Sequence, residues 1–149
     1  MVALMLGVTL VACGEEESLP KWVAGPLSGL LLECTEARQP APKPTAMVDR
    51  ADFDGDGAPD FVIDTARGCP AVRALYCSID GCSIDVLASR EASAFGLHIK
   101  ARSWEVAERA GRKVLVVRRG GTDCATKSGA TCVETWIWRD GEFVVDTSR

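Results

Sequence analysis

The chain has 149 residues, a net charge of −4, and 47% hydrophobic and 26% charged residues. This length and composition are typical of one folded domain with a sizeable core, and they exclude general disorder. The acidic balance gives no basis for nucleic-acid binding, which needs a basic face, and no apolar run is long enough for a membrane-spanning helix.

The first residues have the features of a secretion signal. Residues 2–12, VALMLGVTLVA, form an uncharged apolar run of the size of a signal-peptide hydrophobic region. Residues 10–13, LVAC, resemble the lipobox of bacterial lipoproteins, which implies cleavage before Cys13, lipidation of its sulfur and attachment to a membrane. No Lys or Arg precedes the run, as one would in an ordinary signal peptide. A buried N-terminal helix or strand is the alternative.

On this interpretation residues 1–12 are the signal peptide, 13–25 a lipid-anchored spacer and 26–149 a single β-rich domain. Pro26 opens a helical pattern, PLSGLLLECTEAR, whose apolar residues fall on one face. Residues 39–45, QPAPKPT, cannot continue a helix and are expected to be an extended connector.

From Ala46 onward the pattern predicts strands. KVLVV, at 113–117, is apolar on both faces and is expected to be a central strand. Asp80-Gly81 and Asp140-Gly141 lie between apolar runs and predict hairpin turns. The expected fold is mainly β (α+β), a small antiparallel domain with a short N-terminal helix. The predicted strands are 46–51, 61–65, 72–76, 83–89, 95–105, 113–118, 133–138 and 143–146.

The chain has seven cysteines. With Cys13 lipidated, six remain, an even number that permits three disulfides and favours an oxidising compartment. Their spacings do not suit a zinc site, and fifteen pairings are possible. We favour two sequence-local bridges, which leave a third that ties the N-terminal segment to the sheet: Cys77–Cys82, Cys124–Cys132 and Cys34–Cys69.

The segment ADFDGDGAPDFVID, residues 51–64, places four aspartates on one tight loop. Aspartates at alternate positions direct their carboxylates to one point, where they repel one another unless a cation is present. Calcium takes six to eight oxygens, and glycines allow the sharp backbone path, whereas magnesium prefers to keep several waters. The expected ligands are the carbonyl of Ala58, a water, and the side chains of Asp52, Asp54, Asp56 and Asp60.

The loop is not an EF-hand, because the twelfth position is Ile63, Pro59 lies inside the loop and the flanks are strand-like. It resembles instead the DxDGDGxxD calcium loop of FG-GAP or VCBS-type repeats, which connects two antiparallel strands. That resemblance implies four aspartate ligands and a buried following strand. A propeller is excluded, because only one such loop is present. The order of the loop, the cysteines and a Trp-rich hairpin is also similar to small envelope proteins of Gram-negative bacteria, which implies a location but no activity.

Other side chains have alternative interpretations. His98 shares the expected solvent face of its strand with Lys100, and no GxSxG or comparable motif accompanies it as a general base would require. Trp136 and Trp138 share one face, and Trp104 is a candidate neighbour of the pair; they are either core or a stacking surface for sugar rings or a partner protein.

Two further candidates lie between the middle of the predicted strand 113–118 and the start of the predicted strand 133–138. Arg118 and Arg119 either bind an anion or form an exposed strand end. Cys124 is a nucleophile only if it is unpaired, which the even cysteine count opposes.

The predicted function is a calcium-stabilised, non-enzymatic binding or structural module of the bacterial cell envelope, on the periplasmic side, lipid-anchored or secreted. A protein or glycan is the expected partner, and nucleic acid is not. One alternative is an inhibitor of a periplasmic or host hydrolase that inserts the loop 120–130. A third is a metal-dependent hydrolase, which needs an open coordination position and a base, and the sequence shows no base.

Overall fold

The computed structural model describes residues 18–91, 95–120 and 131–147. Within these ranges no helix is both long and apolar enough to span a bilayer. The elements in chain order are helix α1 (Lys21–Glu36), a 3₁₀ turn (Pro44–Met47), β1 (Val48–Ala51), β2 (Asp60–Asp64), a 3₁₀ turn (Thr65–Arg67), α2 (Pro70–Tyr76), β3 (Cys77–Ser78), β4 (Gly81–Leu87), a 3₁₀ turn (Ser89–Glu91), β5 (Phe95–Ala101), β6 (Ser103–Arg109), β7 (Arg112–Arg119), β8 (Cys132–Arg139) and β9 (Glu142–Val145).

The strands form two antiparallel sheets. The first has the order β1-β2-β4-β3, with β5 paired to the other edge of β4. The second is a meander in the order β6-β7-β8-β9. The prediction of a mainly antiparallel β domain with an N-terminal helix is therefore confirmed.

The first sheet lies between the helices and the second sheet. On one face, Phe61 and Ile63 of β2 pack with Val23 and Leu27 of α1. On the other face, Val62 belongs to a core shared with Leu115 and Val117 of β7, among others. Because β2 has a hydrophobic layer on each side, all five of its residues are buried.

Helix α1 begins at Lys21, five residues before the predicted start. Its buried residues, Val23, Leu27, Leu30 and Cys34, recur at helical spacing and define one face. Pro26 therefore lies inside the helix, where it lacks the N–H that would bond to the Trp22 carbonyl. Residues 21–25, predicted as spacer, are thus part of this helix, whereas the predicted signal peptide and Cys13 lie outside the described residues.

The predicted strand 72–76 is wrong, because this segment belongs to helix α2. Pro70 occupies the first turn, where its fixed φ favours a helix, and Cys69 is held by its disulfide to α1. Only Val72 is buried, and Leu75 is exposed, which is a helical rather than an alternating pattern.

The predicted strand 95–105 is also wrong in extent, because the chain changes sheet within it. β5 ends at Ala101 in the first sheet and β6 begins at Ser103 in the second. At the crossover the Arg102 N–H donates to the Arg118 carbonyl, at 2.8 Å. Gly81 packs so closely on the crossover that an added Cβ would lie 2.2 Å from the Ala101 carbonyl carbon.

The other predicted strands are confirmed with small changes of boundary. β7 is central in its sheet, as its apolar pattern predicts, with β6 and β8 as neighbours. The predicted hairpin turns at Asp80-Gly81 and Asp140-Gly141 join β3 to β4 and β8 to β9.

Two predicted disulfides are confirmed, Cys34–Cys69 and Cys77–Cys82. The first joins α1 to the start of α2, and the second joins residues that face each other across β3 and β4. Cys132 is also disulfide-bonded. Its predicted partner, Cys124, lies outside the described residues.

Candidate metal centre

The acidic loop, residues 52–59, connects β1 to β2. The two strands close its base, where Ala51 pairs with Asp60. Gly55 and Gly57 have φ angles of 75° and 86°, in the left-handed region that other residues rarely adopt. The glycines therefore permit the sharp path that the sequence predicts for this loop.

The loop brings three carboxylates together. Asp52, Asp54 and Asp60 each present one oxygen, and these oxygens all lie within 4.8 Å of one another. Three negative charges at this separation repel one another, and a bound cation would remove that repulsion. A cluster of carboxylate oxygens suits a hard divalent ion.

Asp60 is the anchor of this cluster. Its side chain is fully buried. One oxygen accepts from the Phe53 backbone N–H at 2.8 Å, and the other accepts from the Ser89 N–H at 2.7 Å. The carboxylate therefore links the acidic loop to the segment that follows β4, and its position is fixed by the fold.

Backbone amides of the loop hold the other carboxylates. The two oxygens of Asp52 accept from the N–H groups of Gly55 and Gly57, at 2.7 and 3.0 Å. One oxygen of Asp54 accepts from the Asp56 N–H at 3.0 Å. The loop is thus organised around its own acidic side chains.

Asp54 differs from the others in having a buried oxygen with no hydrogen bond. Its side chain has no exposed surface, and Oδ2 accepts no hydrogen bond. Arg90 Nε lies 3.5 Å from this oxygen, as an ion pair. Burial raises the pKa of the Asp54 carboxyl above its ordinary value of 3.8, and the charges of Asp60 and Asp56 add to the rise, against the Asp56 N–H and Arg90.

Asp56 lies outside the three-carboxylate cluster. Its Oδ1 accepts from the Ala58 N–H at 2.8 Å, and its oxygens lie 3.4–3.5 Å from the Ser89 hydroxyl. Arg90 Nε is 3.9 Å from Asp56 Oδ2. Of the predicted ligands, the fold groups Asp52, Asp54 and Asp60, whereas ligation by Asp56 and by the Ala58 carbonyl stays a prediction.

Sequence reasoning missed the residues that surround the loop. Ser89 and Arg90 come from the 3₁₀ turn after β4, about thirty residues further along the chain, and no motif marks them. Phe53 lies between two aspartates of the loop and is not among the predicted site residues. Its ring is buried and packs edge to face on Phe143 of β9, with centroids 5.4 Å apart.

A cleft of about 820 Å³ opens beside the acidic loop. The loop and Arg90 form one wall. The other wall comes from the second sheet, at the β6–β7 turn with Gly111 and the β8–β9 turn with Gly141, and it includes Trp138. Candidate metal ligands and an aromatic ring therefore line the same cleft.

Three of the four tryptophans pack against the core between the sheets. Trp104, Trp136 and Trp138 are all half-buried and pack against this core. Trp136 Nε1 donates to Glu134 at 3.1 Å, and Trp104 Nε1 donates to Asp64 at 3.0 Å. Of the pair predicted as a binding surface, Trp138 lines the cleft and Trp136 does not.

The other candidates lie away from the cleft. His98 is exposed, as predicted, and contacts Asp85 on the neighbouring strand β4. Arg119 is half-buried and pairs with Glu134 at 3.3 Å, whereas Arg118 is exposed. Cys124 and residues 121–130 of the proposed inhibitory loop lie outside the described residues.

Fold and site together define a class, a small two-sheet antiparallel β domain covered by helices on one side and bearing a carboxylate cluster on a strand-connecting loop. No protein-family model matches the chain, and no curated protein or solved structure matches it either.

Proposed function

We propose that this protein is a calcium-stabilised, non-enzymatic binding module of the bacterial cell envelope. The observation that carries the proposal is the cluster of Asp52, Asp54 and Asp60, with the buried Asp54 Oδ2 that accepts no hydrogen bond. A buried carboxylate oxygen that accepts no hydrogen bond is destabilising, and a cation at the centre of the cluster would add to the ion pair that Arg90 forms with it.

Calcium fits this cluster better than magnesium or zinc. All three grouped side chains are carboxylates, and neither His nor Cys belongs to the group. Asp52 already holds two backbone amides, so the group is fixed by the loop and cannot easily contract to the short bonds and regular octahedron of magnesium. The role is structural, because the ion would join the loop to β2 and to the segment after β4.

The chemistry of the cleft favours binding over catalysis. Among the described residues that line it, there is no histidine, cysteine or serine. His98 contacts Asp85 and is not part of this lining. Of the acidic side chains in the described lining, Asp52 and Asp54 are candidate metal ligands and Asp140 lies on the opposite wall, so no base is assigned beside the metal and the binding role is the better supported.

The envelope location has two supports. Disulfides such as Cys34–Cys69 persist in oxidising compartments. The N-terminal apolar run, which ends in LVAC at Cys13, has the pattern of a lipoprotein signal. A lipid on Cys13 would anchor the domain to a membrane on its periplasmic side.

Thermal unfolding of the oxidised protein in calcium, in magnesium and in chelator tests the proposal. Calcium at millimolar concentration is expected to raise Tm by several degrees, and magnesium to raise it less, because only the folded loop binds the ion. Asp54→Asn should abolish the rise. Asp80→Asn changes a half-buried acidic residue in a turn away from the cluster and should preserve the rise. The same Tm in calcium and in chelator would reject the metal site.

A further inference from the structure

We infer that the cleft beside the acidic loop binds an acidic sugar, a uronate, whose carboxylate pairs with Arg112 and Arg139 while its ring stacks on Trp138. The inference rests on the proposed function, since the bound metal would supply part of the site. Its first support is the charge of the cleft. Seven of the twelve lining residues are charged, four cationic and three acidic: Arg90, Arg112, Lys113, Arg139, Asp52, Asp54 and Asp140.

Two of the four cationic side chains that line the cleft, Arg112 and Arg139, differ from the other two in their ion pairing. Lys113 pairs with Glu108 at 3.0 Å, and Arg90 pairs with Asp54. Neither Arg112 nor Arg139 forms an ion pair with another residue in the part of the chain that the structure describes, and both are exposed. Two unpaired guanidinium groups on one wall are suited to a carboxylate, which they can bind in a bidentate manner.

The acidic wall repels an anion less once it holds a divalent cation. Such a cation at the carboxylate cluster would offset two of the three negative charges of Asp52, Asp54 and Asp60, and Arg90 beside them would offset the third. Calcium keeps open coordination positions for ligand oxygens when the protein supplies few of them. Hydroxyl and carboxylate oxygens of a uronate are of the right kind.

Trp138 supplies a flat surface on the wall formed by the second sheet. It is half-buried, and its ring packs edge to face on Phe143, with centroids 5.0 Å apart, so its orientation is fixed. A tryptophan that lines a polar cleft is suited to the apolar face of a sugar ring. The lining also includes Gly55, Gly111 and Gly141, where an added Cβ would meet nothing within 4 Å.

The lining argues for a sugar over a peptide. Among the described residues that line the cleft, the only large apolar one apart from Trp138 is Phe53, whose side chain is buried in the core. Peptide recognition depends on apolar pockets for anchoring side chains, and the described lining of this cleft offers none. Charged groups with one stacking surface are what a small acidic sugar requires.

The test is an NMR titration of the calcium-loaded protein with methyl glucuronide, following the Trp138 indole N–H. Methyl glucoside has the same ring without the carboxylate, and sodium acetate has the carboxylate without the ring. Methyl glucuronide should bind at least about tenfold more tightly than either, since a charge-assisted contact and a stacking contact each contribute about that factor. Equal affinity for methyl glucoside or for acetate would overturn the inference, as would absence of binding.

Variants locate the site. Arg112→Ala with Arg139→Ala should weaken methyl glucuronide binding at least about fivefold, while Arg73→Ala, at an exposed arginine outside the cleft, should leave it unchanged. Chelator should also weaken binding. Unchanged affinity in the double variant or in chelator would overturn the inference.

The calcium-induced rise in Tm separates the two proposals. The Arg112/Arg139 double variant retains the carboxylate cluster and should keep that rise. A protein whose Tm responds to calcium but which does not bind methyl glucuronide would refute the sugar site alone. Absence of any calcium response would refute the metal site as well.

Discussion

The ring of Phe53 lies 5.4 Å from the ring of Phe143, with 76° between their planes. Phe53 stands between two candidate metal ligands in the first sheet's loop, and Phe143 belongs to β9 in the second sheet. This edge-to-face pair connects the acidic loop to the sheet that forms the opposite wall of the cleft. The geometry of the candidate metal centre therefore depends on a residue some ninety positions away.

Replacement of Phe143 by Leu should weaken both the fold and the metal site. Loss of the aromatic pair and of part of the side-chain volume should cost about 1–2 kcal/mol in the free energy of unfolding. Calcium affinity should fall about threefold, because the loop would have to be ordered without its packing partner. Urea unfolding and calcium titration measure the two effects.

Val145→Ala is the control for Phe143→Leu, since Val145 lies on the same strand with 38% of its surface exposed. It should change neither the free energy of unfolding nor the calcium affinity appreciably. If Phe143→Leu destabilises the fold but calcium affinity stays at the wild-type value, the proposed link between β9 and the loop is wrong.

Asp60→Asn should destabilise the protein even without calcium. Both carboxylate oxygens accept backbone N–H groups, from Phe53 and Ser89. An Asn side chain has one acceptor oxygen, so its NH₂ group would face one of these N–H donors inside the core. The expected cost is about 1–3 kcal/mol in the free energy of unfolding, measured by urea denaturation in chelator.

Asp56→Asn is the matched control for Asp60→Asn. Asp56 is partly exposed, and the Asn oxygen can still accept from the Ala58 N–H. Its effect in chelator should stay within about 0.5 kcal/mol. Equal costs for the two substitutions would show that Asp60 is not the anchor of the loop.

Asp54→Asn should stabilise the protein in calcium-free solution at pH 7, whereas Asp60→Asn should destabilise it. Burial raises the pKa of Asp54, so the folded protein binds this proton more tightly than the unfolded chain does. The contribution of Asp54 to stability is therefore fully present below the ordinary pKa of 3.8 and is lost as the pH rises through the raised value. At pH 7 the variant should be more stable than the wild type, and the difference should disappear at low pH.

Urea unfolding of both proteins between pH 3 and pH 7, without added calcium, measures this difference. Addition of calcium at pH 7 should reverse the order, because the wild type binds the ion and the variant does not. A wild type more stable than Asp54→Asn at pH 7 in calcium-free solution would show that the ionised Asp54 carboxylate does not destabilise the fold.

The parts of this structure that the sequence predicts are those set by local chemistry. The glycines and alternate aspartates define the acidic loop, and Asp140-Gly141 defines a hairpin, because each motif specifies its own backbone path. The pattern of KVLVV predicts a central strand, because a strand with two buried faces must be apolar on both.

The parts that sequence reasoning missed are set by distant contacts. Five mostly apolar residues at 72–76 suit a strand or a helix, and the disulfide from Cys69 to α1 decides for the helix. No turn residue marks the crossover at Arg102, where the packing of Gly81 and the Arg118 carbonyl redirect the chain. Arg90 contacts the acidic loop only after the first sheet has folded, so no local sequence motif predicts this contact.

Removal of the Cys34–Cys69 disulfide should cost more stability than removal of Cys77–Cys82. The two bridges span sequence separations of 35 and 5 residues. Chain-entropy arguments give about 4 kcal/mol for the longer loop and about 2 kcal/mol for the shorter one. The double variants Cys34→Ala/Cys69→Ala and Cys77→Ala/Cys82→Ala, compared by urea unfolding, measure the difference. Equal costs would contradict it.

The crossover at Arg102 divides the chain into an early and a late sheet. The helices, the acidic loop and both disulfides named above precede Ser103, so they can assemble while the second sheet is still being synthesised or translocated. Phe143, however, lies on the last strand. The acidic loop is therefore among the first segments made, yet it receives its final packing contact last, and we expect calcium affinity to reach its full value only when β9 docks.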